Sequence, residues 1–399
     1  MKILITTDAY NNMINGVAIS VKNLSTALQN AGNDVRILTL SQTHQSYRQD
    51  HVYFIRSMPL GIYPNIRASL AFHDSLIDEI EEWRPDIIHT QSEFFTLFFA
   101  RKIAKKTHAP IVHTYHTLYE YYTHYFCPNQ TLGKHIAASG SRFVCNRMNA
   151  VVAPTLKTKT LLERYGIHVP LHVIPTGLAL EQFYQPFDWS VRQKLRTQLH
   201  IPEHAPVLVT LGRVAKEKNI DFLIQQMKSP LLQKLQAHFV IVGNGPDRER
   251  LEALVHKLGL CETVHFTGMV RPDEVMQYYR IGDVFVSASQ SETQGLTYIE
   301  AMASGLPLLC RKDSCLESVL IPDKTGQFFE DEDSFVKHCM KIFSQKDILN
   351  SLSENALQKS IEFSKEEFAK RIFNLYENVL EDKEETQRCT RFVCIPKQI

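Results

Sequence analysis

The sequence predicts an α/β protein made of two successive doubly wound units. Three observations carry this expectation. Short apolar, β-rich runs alternate with segments of helical period, the pattern of a parallel sheet covered by helices on both faces. The alternation is interrupted between residues 175 and 190, where Pro175, Gly177 and Pro186 break the period. Residues 283–309 read strand, loop, helix, strand: Val284-Phe285-Val286 is a short apolar run, residues 289–294 are polar without a period, Leu296 to Met302 favours helix, and Gly305-Leu306-Pro307 stops it.

Taken in order, the strand candidates of the first half are residues 2–6, 34–40, 86–90, 110–114 and 150–153. Val17, Val21, Leu24 and Leu28 share one helical face between the first two. A second helix spans 70–83, with Pro85 as its stop. A second alternation begins near His172 and runs through strands at 206–211, 238–242, 264–267, 283–287, 307–310 and 327–330, with a helix carrying Leu251, Leu254, Val255 and Leu258 inside it. The expected domains are therefore 1–175 and 176–364, followed by a last long helix over 365–381 and a loosely held tail over 382–399.

Composition narrows the function classes. The 399 residues suffice for two or three domains, and 44% hydrophobic with 22% charged residues is ordinary for a globular chain. A formal net charge of +1 supplies no overall field for nucleic acid, so no nucleic-acid partner is expected. No apolar run approaches the roughly 20 residues of a membrane span, and residues 2–6 enter a strand at once, which argues against a signal peptide. Eight scattered cysteines without a Cys-x-x-Cys pair read as reduced thiols of a cytoplasmic protein rather than a metal site.

The chemistry concentrates at strand ends. Ligands of open α/β sheets bind beyond the carboxyl ends of the strands. The loop 289–294 leaves such an end and enters a helix at Gly295, where free N–H groups and a partial positive charge suit a diphosphate. Glu292 and Glu300 flank that helix start. Carboxylates accept hydrogen bonds from hydroxyls, so the arrangement suggests a nucleotide sugar, with one Glu on the ribose and the other on the sugar. Arg213 and Lys218 follow the strand at 206–211. Two cations on one loop can grip two phosphates, although they also read as a solvated charge run. Gly243-Asn244-Gly245-Pro246 lacks the third glycine of a dinucleotide fingerprint, and no Gly-x-Gly-x-x-Gly follows residues 2–6, which argues against a dehydrogenase. His113 and His116 end the fourth strand. By residue type alone they are buried or surface histidines, and a zinc site lacks an evident third ligand. The loop from Asp8 to Val17 is either a plain strand-to-helix turn or one whose N–H groups face a phosphate. Tyr119, Tyr121, Tyr122, Tyr125 and Phe126, with Arg142 and Arg147 further on, suit either a packed helix or a lipid-headgroup interface.

Taken together, Glu292 to Glu300 with Ala-Met-Ala-Ser-Gly-Leu-Pro after it, Gly212-Arg213 with Glu217-Lys218, and Gly243-Asn244-Gly245-Pro246 resemble the retaining glycosyltransferases of family 4. More narrowly, His113 to Glu120, His124-Tyr125, Val152 to Thr155, Ile174 to Gly177 and Ser289 to Glu300 are similar to bacterial diacylglycerol glucosyltransferases. The resemblance implies the GT-B fold: two Rossmann-like domains facing a cleft, with a C-terminal helix crossing back to the first. It implies UDP-glucose as donor, diacylglycerol as acceptor, retention of configuration by a front-face route, no essential metal or other cofactor, and peripheral attachment to the anionic inner face of the cell membrane.

Residue by residue, the resemblance gives His116 and Glu292 to the transferring sugar, and Arg213 and Lys218 to the leaving diphosphate. The implied donor site is Gly16, Arg213, Lys218, Val270, Glu292, Gln294, Gly295, Leu296, Thr297 and Glu300, with the backbone of residues 266–270 meeting the uracil. Tyr119, Tyr121, Tyr122, Tyr125 and Phe126 form the implied membrane and acceptor surface. Where the family carries an Asp two residues after the Gly of Pro-x-Gly, this chain has Ala179. The rival readings are the same transfer to a soluble acceptor and an inactive module that binds UDP-sugars.

Overall fold

The computed structural model describes residues 1–10, 16–60, 67–121, 129–184 and 188–393. The chain forms two compact units, Met1–Gly177 with Lys365–Ile399, and Leu178–Ser364. In the first lie β1 (Lys2–Thr6), β2 (Asp34–Leu40), β3 (Tyr47–Gln49), β4 (Val52–Ile55), β5 (Met58–Pro59), β6 (Arg67–Ala68), β7 (Ile87–Thr90), β8 (Ile111–Thr114), β9 (Ala150–Ala153) and β10 (Leu171–Val173). Eight of them make one sheet in the order β10-β9-β8-β7-β1-β2-β4-β3. It is parallel except for β3, which runs antiparallel to β4 at the edge. β5 and β6 form a separate two-stranded ribbon.

The local chemistry explains the boundaries. The helix Gly16–Asn30 buries Val21, Leu24 and Leu28 along one face. The helix expected over 70–83 starts later, at Ser75, because the Asp74 side chain accepts the Leu76 N–H and caps it there. It ends at Trp83, with Arg84 in the left-handed region ahead of Pro85. β10 is also a correction. Residues near His172 do not open the second unit; Leu171–Val173 pairs with β9 and closes one edge of the first sheet.

Two apolar layers cover this sheet. One face packs Leu4, Leu38, Ile88 and Val151 against the helices Ser75–Trp83 and Phe95–Thr107. On the other, Ile3, Ile5, Ile37 and Val152 meet the helix Gly16–Asn30 and also Phe368, Ile372, Leu375, Tyr376 and Val379 of the last helix. Tyr376 Oη lies 2.7 Å from Nδ1 of the buried His89. The last helix therefore belongs to the first unit's core. It runs Lys365–Val393, so the tail expected from 382 is helical for more than half its length. Glu381 to Phe392 contains no Gly or Pro and is rich in Glu, Lys, Gln and Arg, which favour helix even when exposed.

The second unit holds β11 (Val207–Leu211), β12 (His238–Val242), β13 (Val264–Gly268), β14 (Val284–Ser287), β15 (Leu308–Arg311) and β16 (Gly326–Phe329), all parallel, in the order β13-β12-β11-β14-β15-β16. The order reverses between β11 and β14, the switch point where ligands of doubly wound sheets bind. Within the second unit, Leu178 donates its N–H to Phe363 O at 2.9 Å, so that unit's first and last residues lie side by side, with Ala179 half-buried next in the chain.

Candidate functional site

In the second unit, the loops after β11, β12 and β14 hold one another. Gly212 donates its N–H to Val242 O and Val214 to Asn244 O. A Cβ on Gly243 would stand 2.0 Å from Gly212 O, and one on Gly245 2.2 Å from Val214 O. The Gly-Asn-Gly-Pro turn is thus a contact between two backbones, which fixes the loop that carries Arg213 and Lys218. Arg213 is exposed. Lys216–Lys218 form a single 3-10 turn, and Asn219 donates its side-chain amide to Ala288 O at 3.2 Å, joining that turn to the loop after β14. This join brings Lys218 and Glu292 together: Lys218 Nζ ion-pairs with Glu292 Oε1.

Beside this pair, Gly295 caps the helix Leu296–Ala303 with φ +73°. A Cβ there would lie 2.2 Å from the Tyr298 ring, so conformation and space both demand glycine. The first amides of that helix have no partner within the helix. Gln294 is buried, while Leu296, Thr297 and Val270 are half-buried. Glu300, one helical turn further in, accepts a hydrogen bond from Tyr279 Oη at 2.8 Å. Burial pushes its carboxyl up to about 7, against the Tyr279 hydrogen bond that favours the ionised form. The edge thus offers two cations, a helix start and two carboxylates, the groups that a sugar diphosphate requires.

A cavity of about 1000 Å³ lies elsewhere in this unit, lined by Trp189, Arg192, Arg196, Asp283 and Leu306. These residues sit at the amino ends of β14 and β15, the edge away from Glu292. Arg192 and Arg196 are both paired with Asp283.

In the first unit, the expected histidines end β8. His113 is fully buried, with Nδ1 2.8 Å from Thr90 Oγ1. His116 is half-buried, and its Nε2 meets Gln91 Oε1 at 2.7 Å. Burial pulls His116 down to about 4, although Glu93 opposes this, so the ring is neutral near pH 7. With Nε2–H donated to the amide oxygen, Nδ1 is left as an acceptor, which suits a sugar hydroxyl and not a phosphate. Gly16 opens the helix Gly16–Asn30 and is exposed; residues 11–15 before it lie outside the described residues.

Tyr119, expected on the surface, is instead turned into the unit. Its hydroxyl donates to Glu93 Oε2 at 2.7 Å, and its ring meets Tyr115 and Phe94 edge-on. A buried carboxylate acceptor outweighs exposure for a tyrosine hydroxyl. Tyr121 ends the short 3-10 turn begun by Tyr119, and Tyr122, Tyr125 and Phe126 lie outside the described residues. Exposed apolar side chains lie instead on the helix Gln130–Cys145: Leu132, Ile136 and Phe143, at spacings of four and seven, beside exposed Lys134, His135, Arg142 and Arg147. No described helix is long and apolar enough to cross a membrane.

Sequence reasoning missed Asp8 and Glu93 as site residues. Both stand at strand ends of the first sheet, and their only sequence signal is that position. Among the described residues, no three His, Cys, Asp or Glu side chains are arranged to hold a metal.

Fold and site define a GT-B glycosyltransferase. Residues 14–182 match the family described as Glycosyltransferase Family 4, and residues 191–359 match Glycosyl transferases group 1. Among curated proteins, the chain is 31% identical to an alpha-monoglucosyldiacylglycerol synthase of Acholeplasma laidlawii, over 96% of this chain and 98% of that protein. It is also 31% identical to the synthase of the same name from Streptococcus pneumoniae, over 94% of this chain and 85% of that one. Of solved structures, Anabaena HepE with UDP superposes with a TM-score of 0.73 at 16% identity, covering 95% of this chain and 100% of that one. Sucrose-phosphate synthase from Thermosynechococcus elongatus gives 0.71 at 22%, covering 95% and 99%. The chain belongs to the family 4 glycosyltransferases, and its full-length relatives include these glycolipid synthases.

Proposed function

We propose that the protein transfers glucose from UDP-glucose to the free hydroxyl of diacylglycerol, with retention, at the inner face of an anionic cell membrane. The observation that carries this reading is the cluster at the carboxyl edge of β11 and β14, where Lys218, Glu292 and the Gly295 helix start meet. Its acceptor half rests on the similarity to alpha-monoglucosyldiacylglycerol synthases over nearly the whole chain. An α-glucoside made from the α-linked donor means retention.

On this reading Glu300 holds the ribose, and the backbone at Val270 meets the uracil. Arg213, Lys218 and the amides after Gly295 hold the diphosphate, with Gly16 approaching it from its own helix start. Glu292 and His116 position the sugar, and Gln294, Leu296 and Thr297 line the donor. Negative charge on the diphosphate grows as the glycosidic bond breaks, so fixed cations and amides stabilise the transition state more than the bound substrate. Those groups make a resident metal unnecessary. The exposed face of the helix Gln130–Cys145 supplies apolar contact and positive charge for a membrane surface.

The test is direct. The full chain is incubated with labelled UDP-glucose, UDP-galactose or UDP-N-acetylglucosamine and diacylglycerol in anionic liposomes, with and without a chelator. The reading expects an α-glucosyl lipid from UDP-glucose, undiminished by the chelator. A β-linked product, or transfer only to water-soluble acceptors, overturns it.

A further inference from the structure

The first unit carries polar groups that the donor chemistry leaves unused. Two carboxylates, Asp8 and Glu93, stand together at the carboxyl ends of β1 and β7. Each has one oxygen engaged. Asp8 Oδ1 accepts the Thr96 N–H at 2.8 Å, and the Asp8 N–H is donated to Ser92 Oγ at 3.1 Å. Glu93 Oε2 accepts the Tyr119 hydroxyl at 2.7 Å. Among the described residues, the other two oxygens, Asp8 Oδ2 and Glu93 Oε1, have no hydrogen-bond partner. Two side chains at least nine-tenths buried are incomplete at the same strand ends. His113 Nε2 points at Glu93 Oε1 from 3.4 Å without hydrogen-bond geometry, and Gln91 Nε2 has no partner among the described residues.

Buried polar atoms are normally satisfied, so four unmet ones at neighbouring strand ends mark a site rather than a finished core. Its charge is mainly negative, and the basic group that faces it is the His113 imidazole, 3.4 Å from Glu93 Oε1. Among the described residues, no lysine or arginine pairs with either carboxylate. Burial, aided by the like charge of Glu93, pushes Asp8 up to about 6. Two acidic acceptors with an amide donor suit a neutral molecule that brings its own hydroxyl, and they repel an anion.

We propose that Asp8, Glu93, Gln91 and His113 recognise the acceptor as a neutral, hydroxyl-bearing glycerolipid head, and that the two carboxylates exclude acceptors carrying a phosphate. The hydroxyl donates to a carboxylate, and an ester oxygen accepts from Gln91 Nε2. This inference rests on the reading that the chain glucosylates diacylglycerol, and it adds what that site refuses.

The full-length protein is compared with Asp8→Asn, Glu93→Gln and the double variant in neutral detergent micelles. Transfer is measured to dioctanoylglycerol and to dioctanoylphosphatidylglycerol, which has free hydroxyls but a charged phosphate. UDP affinity and UDP-glucose hydrolysis without lipid are measured alongside. Wild type is expected to favour the neutral lipid in kcat/KM by about tenfold or more. The double variant is expected to lose about tenfold in kcat/KM for dioctanoylglycerol, and to bring the neutral-to-anionic ratio towards one. Its UDP affinity, hydrolysis rate and melting temperature should stay near wild type. An unchanged lipid ratio overturns the proposal, as does an equal loss of hydrolysis and transfer. If wild type neither binds UDP nor hydrolyses UDP-glucose, the donor reading fails, and equilibrium binding of dioctanoylglycerol still decides the site: about tenfold weaker binding in the double variant upholds it, and equal binding overturns it.

Discussion

At the carboxyl edge of the second unit, Lys218 pairs with Glu292 beside the amide end of the helix Leu296–Ala303, Arg213 stands on the same loop as Lys218, and the loops are tied by contacts that only glycine permits. At the same edge of the first unit, Asp8 and Glu93 sit with neutral His116 and with donors that lack partners among the described residues. One edge is preorganised for negative charge; the other presents negative charge of its own. Both sheets are built mainly of parallel strands with strand-end loops, so the difference teaches that the fold supplies the edge while a few strand-end side chains set its sign.

The comparison breaks most sharply if the cations are removed. Lys218→Ala or Arg213→Ala is expected to lower kcat on the order of 10²-fold or more, because each removes charge that matters most as the diphosphate leaves. Steady-state kinetics that show only a raised KM would assign these residues to ground-state binding instead. Next in size is Gly295→Ala. The left-handed backbone costs roughly 1–2 kcal/mol for a residue with a Cβ, and the Tyr298 ring must also move. UDP affinity should fall by roughly tenfold or more, with a lower melting temperature. Calorimetry giving wild-type affinity would show that the helix start does not hold the diphosphate.

A smaller effect comes from pH. Glu300 has its carboxyl raised to about 7, so it is protonated below that value and ionised above it. A carboxylate that accepts ribose hydroxyls must be ionised. UDP affinity should therefore weaken as pH falls below 7, by at most about tenfold per unit, and level off above. The sign for stability is opposite. Because the folded pKa lies above the unfolded one, the stabilising contribution of the protonated group is present at low pH and is lost as pH rises through 7. Glu300→Gln should thus abolish the pH slope of UDP binding, be weaker at pH 8, and melt no lower than wild type there. Glu292→Gln should keep both slope and UDP affinity and lose sugar transfer. Equal effects of the two variants on UDP would merge their roles. The smallest effect is at the membrane: Ile136→Ser with Phe143→Ser should reduce sedimentation with anionic liposomes several-fold while leaving UDP affinity unchanged. Undiminished sedimentation would move docking off the helix Gln130–Cys145.

Alternation, strand positions and the donor loops were legible because they are local: a period of two or 3.6 and a Gly or Pro stop need no distant partner. The pairing of Lys218 with Glu292 was not legible. It depends on β11 lying beside β14, a reversal that alternation does not encode. Asp8 and Glu93 were hidden for the same reason: their strands become neighbours only in the assembled sheet, and an isolated acidic residue has no period. Tyr119 misled because aromatic density is the same whether the hydroxyl meets water or a buried carboxylate.

The last helix has a consequence for the order in which the chain is made. His89 and Tyr376 touch across 287 positions of sequence, and Ile3 and Ile5 share a core with Phe368 and Ile372. During synthesis, the segment Leu178–Ser364 emerges complete and can fold as a continuous block. The unit whose strands were made first must wait, one sheet face covered only in part by the helix Gly16–Asn30, until residues up to Val379 leave the ribosome. Such late closure favours slow maturation and exposes an apolar face to chaperones or aggregation in the interval. The N-terminal half begins first and finishes last.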